Sequence, residues 1–221
     1  MNTLMEVYRR LYEAFGPQHW WPGESPFEVI VGAVLTQNTN WRNVEKAIEN
    51  LRQADCLTPD ALYRMPLPEL EELIRPAGYY KVKARRLRNL LKLIVQQYDG
   101  SLETMFRTPA ERLREQLLET PGIGPETADS ILLYAGEKPF FVVDTYTYRV
   151  FARHGWISFE ADYHQIQEYF HDRLPQDVRL YNEYHALLVK LGKEYCRKGE
   201  PRCEDCPLKD FLPAGGPLQP D

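Results

Sequence analysis

No helix can run through Pro121-Gly122-Ile123-Gly124-Pro125. Helical segments are nevertheless legible on both sides. Upstream, Thr108-Pro109-Ala110-Glu111 reads as a helix start, with Thr108 as cap, Pro109 in the first turn and Glu111 reaching back. Downstream, Ala128, Ile131, Leu132 and Ala135 recur at helical spacing. The chain must therefore fold back here as two helices joined by a tight hairpin. Gly122 and Gly124 let the backbone turn within a few residues and let another molecule come close. The N–H groups of such a turn, with the helix start at Pro125, suit a phosphate. An ordinary αα-hairpin fits the same pattern. Further along, Phe140-Phe141-Val142-Val143-Asp144-Thr145 presents a lone carboxylate, Asp144. Thr145, Tyr148 and Phe151 continue as a helix, so Asp144 is also a natural N-cap.

Helical periodicity dominates elsewhere. Leu4, Val7, Tyr8, Leu11 and Phe15 define a helix closed by Gly16-Pro17. Phe27, Ile30, Val31, Val34 and Leu35, widened by Val29 and Ala33, define a central, buried one. Trp41, Val44, Ile48 and Leu51 form a third. Two more near the end carry Ile166, Tyr169 and Phe170, then Tyr184, Leu187, Leu188 and Leu191. The β-like run from Pro139 to Val143 is short and reads as a connector. The fold class is all-α, and the tail 213–221 is expected to be disordered.

With 43% hydrophobic residues the chain can bury a substantial core. It has no apolar run of about 18 residues, the length a membrane span needs, and its N-terminus lacks a signal-peptide pattern. A cytoplasmic protein is the default expectation. The net charge of −5 argues mildly against a nucleic-acid partner. Local distribution argues the other way: Lys81, Lys83, Arg85, Arg86, Arg88 and Lys92 follow one another without an intervening acid. Leu87, Leu90, Leu91 and Ile94 put this run on a helix whose other face is core. A solvated helix face is the plain alternative.

Leu118, Pro121-Gly122-Ile123-Gly124, Thr127-Ala128, Val143-Asp144-Thr145 and Arg149-Val150 together resemble the helix-hairpin-helix, Gly/Pro-rich loop and Asp of the endonuclease III superfamily of DNA glycosylases. Gly32 to Thr39 resembles that family's early helix, whose Gln, here Gln37, fills the gap left by a flipped nucleotide. Gly78-Tyr79-Tyr80 with Lys83-Ala84 resembles the loop that wedges the opposite strand. The similarity runs from about Phe27 to Cys206. It implies a two-lobed helical protein, with one lobe at 23–138 and the other at 1–22 plus 139–212. It also implies double-stranded DNA as partner, bound by a monomer across a cleft that receives the damaged nucleotide. Gln37, Tyr79, Lys83, Gly122, Gly124 and Thr127 would contact the DNA. Asp144 would activate water and stabilise the oxocarbenium-like transition state.

Bifunctional members carry a Lys where this chain has Glu126. A carboxylate cannot form the Schiff base that leads to strand cleavage. Glu126 therefore implies a glycosylase that leaves an abasic site. It is equally an acid placed favourably in a first helical turn. Trp20-Trp21-Pro22, with Trp41, is similar to the 3-methyladenine DNA glycosylase branch. Alkylated purines are cationic, and stacked indoles attract cations. Helix-end tryptophans also serve as core anchors.

Cys196-x6-Cys203-x2-Cys206 resembles the family's iron–sulfur loop, with Leu212 where a fourth Cys belongs. A [4Fe–4S] cluster is the favoured reading, with Asp210, Glu204 or Asp205 as conceivable fourth ligands. Zinc with His185, or no metal at all, stays open. Cys56 reads as a small buried side chain. Two competing functions also stay open. One is an endonuclease III-like glycosylase and AP lyase for oxidised pyrimidines. The other is a non-catalytic lesion-binding protein.

Overall fold

The structure is a computed structural model that describes residues 3–20 and 23–220. Its described residues form helices joined by turns and loops, without a strand, and divide into two units. The chain leaves the first unit at residue 20, builds the second from 21 to 138, and returns to the first for 139–221.

The first unit opens with α1 (Thr3–Phe15), which Gly16 closes in a left-handed conformation at φ +67°. The second contains α2 (Pro26–Leu35), α3 (Trp41–Gln53), α4 (Pro59–Arg64), α5 (Leu67–Leu73), α6 (Tyr80–Tyr98), α7 (Leu102–Arg107), α8 (Ala110–Glu119) and α9 (Pro125–Ser130). A π-helical turn, Ile131–Ala135, follows α9. The first unit is completed by α10 (Thr145–Arg153), α11 (Tyr163–His171) and α12 (Val178–Glu194). No helix among the described residues is long and apolar enough to cross a membrane.

In the second unit α2 is the centre, because every residue from Phe27 to Leu35 is buried. Ser25 caps it by accepting the Glu28 N–H, and Pro26 supplies the first turn. The α6 stripe of Leu87, Leu90, Leu91 and Ile94 is fully buried. The start of α8 differs from the expectation. Pro109 occupies the cap position and makes no side-chain bond, while the Thr108 hydroxyl donates instead to Tyr98 at 3.3 Å. With Pro109 extended at ψ 141°, the helix begins one residue late and Thr108 turns toward α6.

In the first unit α10 and α12 approach closely. A Cβ on Gly192 of α12 would lie 2.4 Å from the Tyr146 ring, so only Gly admits that ring. Arg149 ties the same helices, donating to the carbonyls of Gly192 at 3.0 Å and Cys196 at 2.7 Å. The connector before α10 is pinned rather than loose. Phe141 stacks on Phe170 at 3.9 Å, its N–H donates to His171 Nε2, and its carbonyl accepts from Gln167. In the segment 213–220, the Leu218 N–H donates to the Arg153 carbonyl at 2.9 Å.

Candidate active site and hairpin

The hairpin is built as its sequence requires. Gly122 takes φ +94°, and a Cβ there would stand 2.3 Å from Cγ of Arg86. Gly124 has φ −93° and faces open space. Pro121, Gly122, Gly124 and Glu126 are exposed, so the crest of the turn is turned to solvent. Three side chains hold it from behind. Asn89 donates to the Pro121 carbonyl at 2.9 Å. Gln37 donates to the Gly122 carbonyl at 3.2 Å and the Thr127 hydroxyl at 2.9 Å. Arg86 donates to Gln37 Oε1 at 2.5 Å. Across the turn, Arg114 of α8 grips Asp129 of α9 through two bonds of 2.7 and 3.0 Å. Asp129 is 0% exposed, and this paired charge fixes the angle between the two helices.

Two of the expected DNA contacts are placed differently. Lys83 is 1% exposed, and its ammonium donates to the carbonyls of Leu35 at 2.8 Å and Ala77 at 2.7 Å. It cannot reach a phosphate from there. Burial, with the nearby Arg86 charge, pulls it down to about 8. Thr127 is likewise buried and serves as acceptor for Gln37. Gln37 itself is engaged with the hairpin. Tyr79 is the opposite case. It is 73% exposed and has left-handed backbone at φ +47°, following Gly78 at φ +68°. Lys81, Arg85 and Lys92 are the exposed members of the basic run.

Asp144 stands at the N-terminus of α10 in extended backbone. Its Oδ1 accepts the Thr147 N–H at 2.7 Å. Its Oδ2 lies 3.4 Å from Nε2 of His185, a buried residue of α12. The Asp144 side chain retains 12% exposure. Burial pushes its carboxyl up, but the His185 charge and hydrogen bond and the Thr147 bonds outweigh this. The net shift is below the ordinary value of 3.8. The carboxylate is thus ionised at neutral pH. The Trp20 ring meets His185 edge-on at 6.5 Å. The sequence carries no sign of His185 as the Asp144 partner and offers it only as one conceivable zinc ligand.

The other aromatic expectations divide. Trp20 shares a unit with Asp144. Trp41 belongs to the other unit, where it lines an open cavity of about 650 Å³ with Glu28, Glu45 and Arg52. Trp21 and Pro22 lie outside the described residues.

Cys196, Cys203 and Cys206 line one small cavity, about 10 Å³, with Arg153, His154 and Leu212. Arg153 donates to Cys196 Sγ at 3.5 Å, and the Leu208 N–H to Cys206 Sγ at 3.4 Å. Burial pushes the Cys206 thiol up to about 11. As placed, no group of three or more His, Cys, Asp or Glu among the described residues forms a metal-holding set. None of the conceivable fourth ligands lines this cavity. Asp210 pairs with Arg10, Asp205 with Arg202 and His185 with Asp144, while Glu204 is exposed. His185, the conceivable zinc ligand, does not line this cavity, and its Nε2 faces Asp144. The donor chemistry fits three thiolates with N–H support and a buried guanidinium. Leu212 supplies only carbon at the fourth corner.

The helix-hairpin-helix and the capped Asp144 define a base-excision DNA glycosylase fold. Residues 31–176 match the HhH-GPD superfamily of base excision DNA repair proteins, and the chain belongs to that family. It is 48% identical over 212 residues to MJ1434, a provisionally named DNA repair glycosylase of Methanocaldococcus jannaschii, covering 95% of this chain and 96% of that protein. Among solved structures it is similar to the H. pylori 3-methyladenine DNA glycosylase MagIII bound to 1,N6-ethenoadenine. That match has a TM-score of 0.76 and 32% identity, covering 86% of this chain and 97% of the other. It is also similar to a trapped endonuclease III–DNA covalent intermediate, with a TM-score of 0.81 and 26% identity over 96% of each chain.

Proposed function

We propose that this chain is a monofunctional DNA glycosylase that, as a monomer, releases alkylated purines of the 3-methyladenine type from duplex DNA. The observation that carries the reading is the Asp144 carboxylate, kept ionised by His185 and the Thr147 N–H. An ionised carboxylate can take a proton from water as the glycosidic bond opens, and its charge offsets the positive sugar. Water then adds to the sugar carbon, and the base leaves with the bonding electrons. The edge-on pairing of Trp20 with His185 puts an indole in the same unit, as a face for a cationic base. The similarity to MagIII supports an alkylated-purine substrate.

Glu126, exposed in the first turn of α9, has no amine to offer. Lys83 has a depressed ammonium, yet it is buried and committed to two carbonyls, so it is a poor substitute nucleophile. Both features favour an abasic product over a cut strand. Gln37 and Tyr79 are proposed to enter the duplex as the lesion leaves it, and the Gly122–Gly124 crest to receive a phosphate. Cys196, Cys203 and Cys206 are proposed to hold an iron–sulfur cluster. Its contribution would be structural, bracing the basic loop at Arg197, Lys198 and Arg202, and loading requires that loop to open beyond the present cavity.

The test is a panel of duplexes, each with one damaged base, scored by the free base released and by borohydride trapping. Release of an alkylated purine without a covalent adduct is expected. A trapped protein–DNA adduct, or release of oxidised pyrimidines only, would overturn the reading.

A further inference from the structure

Two neighbouring positions on α6, Lys83 and Arg86, are bound to the two segments proposed to enter DNA. The Lys83 ammonium closes the ends of two helical elements at once. Leu35 is the last residue of α2, and Ala77 the last of the 3-10 turn Arg75–Ala77. Carbonyls at such ends lack intrahelical partners and carry the negative pole of the element. Gln37 lies just beyond the Leu35 carbonyl and Tyr79 just beyond that of Ala77, each with one residue between. Both segments then turn through left-handed backbone, at Asn38 (φ +53°) and at Gly78 and Tyr79. One turn along α6, Arg86 holds Gln37 by its Oε1.

A buried charge is a poor device for stability alone, since a well-packed apolar side chain of similar volume often does as well or better. The two carbonyls give it a different purpose. We infer that Lys83 is a positioning residue, whose single ammonium fixes the Gln37 and Tyr79 segments relative to each other so that both enter the duplex in register. The inference rests on the reading above that these two residues deform DNA. It assigns no contact between Lys83 and DNA.

The test separates deformation from chemistry. A duplex carries an uncleavable abasic analogue opposite 2-aminopurine, whose fluorescence rises on unstacking. Wild type should raise it strongly. K83M should bind this duplex within about threefold of wild type, because phosphate contacts dominate affinity, yet lose most of the fluorescence rise. Y79A should lose a similar share, and K83M/Y79A no more than either alone, since the two act as one unit. Should K83M not fold by circular dichroism, K83Q, which keeps one amide donor, replaces it in the same cycle. A full rise in the Lys83 variant, strictly additive losses in the double variant, or no rise with wild type would overturn the inference. A normal fluorescence cycle with no base released from any lesion duplex would instead overturn the proposed activity and leave this assignment supported.

Discussion

Nε2 of His185 lies 3.4 Å from Oδ2 of Asp144, while the other oxygen of that carboxylate holds the first turn of α10. Each oxygen therefore has its own task. One fixes the position of the group and the other fixes its charge.

Replacing Asp144 by Asn separates structure from chemistry. Asn caps helices about as well as Asp, so the Thr147 bond and the fold should survive. Base release in single turnover should fall by roughly 10²-fold or more, the usual scale of general acid–base assistance. DNA binding by gel shift should be nearly unchanged. Undiminished release from D144N would favour a non-catalytic lesion binder contaminated by another activity.

H185A removes the partner that lowers the Asp144 carboxyl and leaves burial unopposed. In wild type the group stays ionised down to below 3.8, so its share of activity and stability is present above that value and lost as pH falls through the lowered one. In H185A the acid limb of the rate profile should move to higher pH. Rates measured across the acid range, corrected for spontaneous base loss, check this. An unmoved limb would assign the limb to another group.

Gly122 and Gly124 should respond oppositely to alanine. At Gly122 the left-handed backbone costs about 1–3 kcal/mol for a residue with Cβ, and the new methyl would also displace Arg86. G122A should melt at a clearly lower temperature. G124A meets ordinary backbone and open space, so its melting point should hold. Its methyl stands on the exposed crest, and DNA affinity should fall. Equal melting points for the two variants would contradict the hairpin geometry.

Asp129 is fully buried and doubly bonded to Arg114. D129N leaves the guanidinium facing a neutral amide, and breaking such a pair costs about 3–5 kcal/mol. Urea unfolding should show a large drop in midpoint with an unchanged slope.

Protein purified without oxygen should contain iron and sulfide and absorb in the visible. L212C, which restores a thiol at the fourth corner, should retain its iron longer in air. Colourless, iron-free wild type would end the cluster proposal.

The hairpin, the buried α2 and the capped Asp144 were legible because each is written in adjacent residues: glycines at a turn, an unbroken apolar surface, an acid before a helix. Lys83 was not, because a basic run reads as a solvated face. The signal was nonetheless present. Lys83 falls on the same helical stripe as Leu87, Leu90 and Ile94, which places it in the core. His185 shares a stripe with Tyr181 and Leu188 in the same way. What periodicity cannot supply is the partner. The Leu35 and Ala77 carbonyls, and the Asp144 oxygen, come from elements distant in sequence.

The division of the chain at residues 20 and 139 also orders its assembly on the ribosome. The unit from 21 to 138 is continuous and can close as soon as it has emerged. α1 must wait, because its partner is α12: the Tyr184 hydroxyl donates to the Leu4 carbonyl at 2.9 Å, and Glu183 accepts the Gln18 N–H at 2.7 Å. The hairpin is thus ready early in synthesis. Asp144 is set in place only after α12 has followed, because its partner His185 belongs to that helix.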